Sequence, residues 1–224
     1  MKLAFVHNVH SRYQSLEYNV NLHSKYFPSA DTYIMYNLKS YEDTALYLDP
    51  NIKSKYFSDT EHKLGCTNGF ILGIKETLRK EYDVVIFAHD DVYINEPYID
   101  VIQDKIKLIH SYPYNFIARR PVTSGHYNIY GKEYIMMESI YLNGNYVKES
   151  FPHLKPLLSE EEIKKDKKNS ISPEAHLYSL LGKNGLIIDY EHKLEDYNKI
   201  LGETLGFYHK NAGTRGWNDS RVHN

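Results

Sequence analysis

Blocks of apolar residues with two different periods succeed one another along the chain. Leu3–His7 is a short apolar run almost at the first residue and reads as a strand. A polar turn follows, and from about Tyr13 to Tyr26 the positions Leu16 and Val20, with Phe27 just beyond, fall on one helical face. Pro28-Ser29-Ala30-Asp31 breaks that helix, and Thr32–Tyr36 reads as a second strand. A strand, a helix and a strand in this order predict a parallel sheet. Residues 38–64 carry Tyr41, Tyr47, Tyr56 and Phe57 among polar residues, with Pro50 between them, and read as a long connection.

Helical spacing returns with Phe70, Ile71, Ile74 and Leu78, starting near Asn68 and ending near Tyr82. Asp83–Ala88 is a continuous apolar run, the signature of a strand covered on both faces at the centre of a parallel sheet. It stops abruptly at His89-Asp90-Asp91. A further helix is expected from about Tyr98 to His110, with Val101, Ile102, Ile106 and Ile109 on one stripe. Asn115–Ala118 reads as a short strand ending in Arg119-Arg120-Pro121, and Ile135–Leu142 as another. Ser159-Glu160-Glu161-Glu162 has the form of a helix-opening capping box. Ser172-Pro173-Glu174 opens a helix with proline in its first turn, and that helix stops in Gly182-Lys183-Asn184-Gly185. Leu186–Asp189 reads as a last inner strand.

The pattern shows no repeat and no low-complexity linker, and 224 residues suffice for one α/β domain. A single domain over 1–224 is therefore expected. No apolar run approaches the roughly 20 residues of a membrane span, and the amino terminus turns polar too soon for a secretory signal. One cysteine, Cys66, rules out an internal disulfide and fits a reducing compartment, so a cytoplasmic protein is expected. With 27 Lys+Arg against 29 Asp+Glu, a broad basic surface for nucleic acid is not expected. The aromatic count is skewed, 22 Tyr against 8 Phe, which either follows from codon usage or supplies stacking faces with polar tips.

Three constellations carry candidate chemistry. His89-Asp90-Asp91 lies just past the carboxyl end of a buried strand, where ligands of open parallel sheets bind. Adjacent acids there must stay solvated, paired or metal-bound, and oxygen donors beside an imidazole suit Mn²⁺ or Mg²⁺; an acid pair capping the next element has the same sequence. Glu174 falls in the first turn of its helix, where the dipole favours an ionised carboxylate able to act as a general base, as well as ordinary first-turn acids. Gly206-Phe207-Tyr208-His209 precedes a glycine-bearing basic stretch in which Lys210 and Arg215 offer charge to phosphates, unless the segment is a polar tail. Arg119-Arg120 reads as a solvated surface pair at a strand end.

Taken in order, these pieces resemble the nucleotide-sugar-dependent glycosyltransferases of the GT-A fold, in particular the family-2-like and polypeptide GalNAc-transferase-like groups. Val84–Val92 is similar to their apolar strand ending in an Asp-x-Asp motif, with His89 at the first acidic position. Pro173–Ile188 is similar to their helix-opening Glu followed by leucines, a glycine and a strand, with Ala175 after the Glu. Gly206–His209 matches their downstream metal-binding His, and the resemblance runs from Leu3 to about Arg215.

The resemblance implies a mostly parallel central sheet flanked by helices, with residues 190–224 closing over the site. It implies a metal-dependent transfer of sugar from a nucleoside-diphosphate sugar, UDP-linked by preference, to a hydroxyl on a carbohydrate, lipid-linked or protein acceptor, with inversion. Asp91 and His209 would hold Mn²⁺ or Mg²⁺, and Glu174 would be the base. His7, Asn8, Arg12, Asn37, Asn68, His89, Asp90, Lys210 and Arg215 would face the nucleotide sugar. Tyr93, Tyr127, Tyr130 and Tyr208 stand where stacking on a sugar or base is expected. A metal-dependent nucleotidyltransferase or phosphohydrolase, and a non-catalytic binding domain of the same fold, are the alternatives.

Overall fold

The computed structural model describes residues 1–9, 13–36, 53–56, 65–89, 91–121, 135–155, 173–190 and 196–209. The expected opening is present: β1 (Leu3–Val9), α1 (Tyr13–Tyr26) and β2 (Asp31–Tyr36), with β1 and β2 parallel. β3 (Lys53–Tyr56) lies inside the long connection and adds to the outer edge of β2. Then come α2 (Gly65–Thr77), β4 (Val84–His89), β5 (Val92–Ile94), a 3₁₀ turn at Glu96–Tyr98 and α3 (Ile99–Ser111). β6 (Phe116–Pro121), β7 (Ser139–Asn143) and α4 (Gly144–Ser150) follow, then α5 (Pro173–Leu181), β8 (Gly185–Tyr190), α6 (Tyr197–Leu205) and β9 (Phe207–His209). The helix expected at Ser159–Glu162 lies outside the described residues.

Among the described residues seven strands form one sheet in the order β3-β2-β1-β4-β7-β6-β8, and β5 pairs β9 in a separate two-stranded ribbon. β3, β2, β1 and β4 run parallel; β7 is antiparallel to both its neighbours, and β6 and β8 are parallel to each other. The chain order reverses between β1 and β4, which places a ligand crevice outside the carboxyl ends of those two strands. Every residue of β1 and the first five of β4 are buried, as continuous apolar runs require when both faces are covered.

Alternation divides the core in two. Phe5, Ile86, Ile117 and Tyr141 point to the face packed by α3 and α6, while Val6, Phe87, Phe116 and Ile140 point to the face packed by α2 and α5. Two glycines let α2 ride close on β1. A Cβ at Gly69 would stand 2.4 Å from the Asn8 side-chain oxygen, and one at Gly73 would stand 2.7 Å from Val6 Cγ1. α6 ends at Gly206, whose φ of 79° is the left-handed cap that favours glycine.

Three expectations need correction. Among the described residues β8 is at the sheet's edge rather than an inner strand, and its first five residues are partly or fully exposed. α2 begins three residues before the expected start at Asn68 and stops at Thr77, since the chain turns over Leu78–Lys80 before entering β4. The strand read as Ile135–Leu142 starts only at Ser139, after a bend. Among the described residues no helix is long and apolar enough to cross a membrane.

Candidate active site

At the carboxyl end of β4 the two motifs farthest apart in sequence meet. Asp91 follows β4 and enters β5, whose antiparallel pairing with β9 sets Val92 opposite His209. This brings His209 Nε2 to 3.1 Å from Asp91 Oδ2, both side chains about one quarter exposed. The ribbon that carries the pair is pinned from both sides. The Asn19 side chain, buried on α1, donates to the Val92 carbonyl and accepts from the Ile94 amide, at 2.9 and 2.8 Å. The Asn198 side chain of α6 holds the His209 backbone, accepting from its amide at 2.7 Å and donating to its carbonyl at 3.1 Å. Tyr197 sets its ring edge-on to the His209 ring, centroids 6.3 Å apart.

Among the described residues no three His, Cys, Asp or Glu side chains converge. Asp90, expected to face the nucleotide sugar, lies outside the described residues. A carboxylate and an imidazole in contact, with the imidazole's backbone fixed by a second layer, still form a donor set suited to Mn²⁺ or Mg²⁺.

The other expected residues divide between the two faces. Asn8 pairs with His89 across β1 and β4, so both lie on the α2 side. Asn8 is buried over Gly69, Asn68 is buried in the first turns of α2, and the His89 ring stands against Phe87. Asn8 and His89 are thus neighbours at the carboxyl ends of β1 and β4. His7 points the opposite way, under α1. Its ring is stacked at 5.1 Å on His23, and burial pushes its pKa down from 6.5 to about 4. His23 in turn stacks at 3.7 Å on Phe5 and is shifted well below the usual value by burial and by His7. Glu174 falls in the first turn of α5. α5 ends at the amino-terminal edge of β8, so its first turn is directed back toward the carboxyl ends of the strands. The Glu174 side chain and residues Arg12, Asn37, Lys210, Arg215, Tyr127 and Tyr130 lie outside what the structure describes.

Two expectations are overturned here. Arg119 is not a solvated surface residue: it lies inside β6, wholly buried, with its Nη2 donating to Glu138 Oε2 at 2.8 Å. Arg120, on the other side of the strand, donates from Nε and Nη2 to the Asp189 carboxylate, at 2.8 and 3.1 Å. Tyr93 offers no open face for a sugar. It is 5 % exposed, stacked at 5.0 Å on Tyr208 and flanked by Tyr18 at 5.7 Å. The strand pairing explains this, because Tyr93 sits directly opposite Tyr208.

Glu138, Tyr197, Asn198 and Asn19 belong to the site's surroundings without having been singled out. Glu138 had a readable signal: it is the one charge within the apolar stretch Ile135–Leu142. Such a charge needs a partner of opposite sign.

With its doubly wound first half and one reversed strand, the fold is GT-A-like, as the solved structures that superpose on it show. Among solved structures, a glycosyltransferase involved in the glycosylation of the major capsid of PBCV-1 superposes with a TM-score of 0.51 at 13% identity, over 100% of this chain and 99% of that one. An active-site mutant of LgtC superposes with a TM-score of 0.52 at 10% identity, over 84% of this chain and 72% of its own. No protein-family model matches the chain, and no curated protein matches it.

Proposed function

We infer that the protein transfers a sugar from a nucleoside-diphosphate sugar to an acceptor hydroxyl, using a divalent ion held by Asp91 and His209. The observation that carries this reading is their 3.1 Å approach just past the carboxyl end of β4, from distant parts of the sequence, in a fold of this class. Mn²⁺ is the first candidate ion, with Mg²⁺ second, because the donors are one oxygen and one nitrogen. When bound, the ion neutralises the charge that develops on the departing diphosphate.

The chain's own residues supply the rest. Asn8, Asn68 and His89 line the donor crevice between β1 and β4. Asp90 orients the donor ribose or sugar, and Lys210 and Arg215 meet its phosphates as residues 190–224 close over the site of a single domain spanning 1–224. Glu174 takes the proton from the acceptor hydroxyl as that oxygen bonds to the anomeric carbon and the bond to the diphosphate oxygen breaks, so the configuration inverts. UDP is the favoured nucleotide, and a carbohydrate, lipid-linked or protein hydroxyl the acceptor.

The test is incubation with Mn²⁺ and a panel of UDP-, GDP- and CMP-sugars, reading the nucleotide released. UDP formation that is abolished in Asp91→Asn, together with donor binding without transfer in Glu174→Gln, is the expected result. Release of a nucleoside monophosphate from a diphosphate donor would assign phosphohydrolase chemistry instead. Binding without turnover in the presence of acceptors would make the fold a non-catalytic binding domain.

A further inference from the structure

Arg119 is buried beneath the site, and its environment does not explain it as a stabiliser. Its guanidinium lies against two aromatic rings set edge to face, its carbon 4.2 Å from the Tyr190 centroid and 5.1 Å from that of Tyr197. It makes a single hydrogen bond, to Glu138. Arg119 Nε and Nη1 and Glu138 Oε1 are buried without a hydrogen-bond partner. A buried ion pair with three unsatisfied atoms returns less than the desolvation it costs, and apolar residues of similar volume are commonly as stable or more so.

The pair does close a circuit. The Glu138 carbonyl accepts from the His89 amide at 3.0 Å, so Glu138 is fixed to the last residue of β4. Its carboxylate holds Arg119 at 2.8 Å. Arg119 lies over Tyr197, whose ring abuts that of His209. His209 reaches Asp91, two residues after His89, at 3.1 Å. Each link joins a different part of the fold: β4, the entry to β7, β6, α6, β9 and Asp91 at the entry to β5. The only covalent part is His89-Asp90-Asp91.

We propose that Arg119 is a positioning residue, which through Tyr197 and Glu138 locks the β9 arm bearing His209 against Asp91, just past the end of β4. The proposal rests on the reading of Asp91 and His209 as metal donors. It adds that their spacing is set from below by a cation neither of them touches. Arginine is suited to this, because its planar group stacks on a ring while pairing with a carboxylate, whereas the compact ammonium of lysine does not.

The test uses the full chain with Arg119→Met and Glu138→Leu combined, so that no buried charge is left alone. Tyr197→Leu alone removes the ring while keeping the ion pair. Three quantities are measured: the thermal midpoint, the Mn²⁺ dissociation constant from the electron-spin signal of free Mn²⁺, and amide exchange at residues 207–209. The expected result is a thermal midpoint at or above wild type in the double variant, with Mn²⁺ affinity weakened by about tenfold or more. Exchange at 207–209 should be faster by about tenfold, with both losses reproduced in Tyr197→Leu. Wild-type affinity and wild-type exchange in the folded double variant, or in Tyr197→Leu, would overturn the proposal. If the wild-type chain binds no Mn²⁺, the metal reading fails separately. Exchange at 207–209 then decides alone whether Arg119 locks the arm. Arg119→Lys covers the case in which the double variant does not fold: it keeps the charge and is expected to lose the lock.

Discussion

His7 and Arg119 occupy the same level of one face of the sheet, on opposite sides of its centre. His7 pairs with Ala88, and Ala88 with Ser139. Continuing the β6–β7 register from Ile117 opposite Tyr141 brings Arg119 level with Ser139. Both side chains are buried, and each sits against a second ionisable group, His23 for His7 and Glu138 for Arg119. The histidines meet burial by giving up charge, which an imidazole does at little cost near neutrality. Arginine has no neutral form within reach, so its charge must be matched by another. One half of the sheet is therefore open to attack by protons, and the other by removal of a partner.

The largest expected effect is on the charged side. Glu138→Ala leaves the Arg119 guanidinium buried with no counter-charge and no hydrogen bond, which costs about 3–5 kcal/mol. Urea denaturation at neutral pH should show the midpoint falling accordingly. Combining Glu138→Ala with Arg119→Met should recover most of the loss. A loss below about 1 kcal/mol in the single variant would mean that Arg119 reaches water when Glu138 is removed.

The histidine side should answer to pH. His7 has a folded-state pKa of about 4 against 6.5 unfolded, so between those values the unfolded chain binds more protons. Stability therefore rises with pH across that window and is lost as the solution is acidified. For His7 alone the slope is about 1.4 kcal/mol per pH unit. His23 is shifted in the same direction and steepens the limb. Urea midpoints taken from pH 7 to pH 4.5 should fall progressively, and a flat profile would exclude neutral burial of both rings.

How far these features were legible from the residues differs between the two sides. β1, α1 and β4 follow from local pattern, because their apolar runs are covered on both faces or one stripe and no distant partner is needed to see them. That Asp91 and His209 lie close together was legible because strand end and motif order coincide. Arg119 was misread because the apolar pattern stops at Ala118 while the strand continues to Pro121. Its burial is decided by Glu138, nineteen positions away, and by two tyrosines that only the tertiary fold brings near. β3, Lys-Ser-Lys-Tyr, has no apolar period at all and exists as an edge paired to β2. β8 reads as an inner strand from Leu186-Ile187-Ile188, and only the strand order reveals it as an edge.

A smaller change sharpens the acid side. His23→Phe places a ring of similar size against Phe5 and removes both the titrating group and its contact with Thr32 Oγ1, 3.2 Å from His23 Nδ1. At pH 7 the cost should be about 1 kcal/mol, that of one hydrogen bond. Near pH 4.5 the variant should equal or exceed the wild type, because it no longer takes up a proton on unfolding at that position. Crossing stability curves are the signature to seek; parallel curves would place the acid sensitivity elsewhere.

Arg120 offers the finest test, because it differs from Arg119 by one position and by which side of the strand it occupies. Its bidentate partner Asp189 is 46% exposed on the edge strand β8, so the pair sits in a high-dielectric setting that screens it. Arg120→Ala should therefore cost no more than about 1 kcal/mol, and less in 0.5 M salt. Arg119→Ala should cost several times that and be indifferent to salt, since a pair out of contact with solvent is little screened. Denaturation midpoints of the two variants at low and high salt separate the cases. Equal losses for both would mean that the edge formed by β8 is covered in solution, bringing Asp189 into the same low-dielectric setting as Glu138.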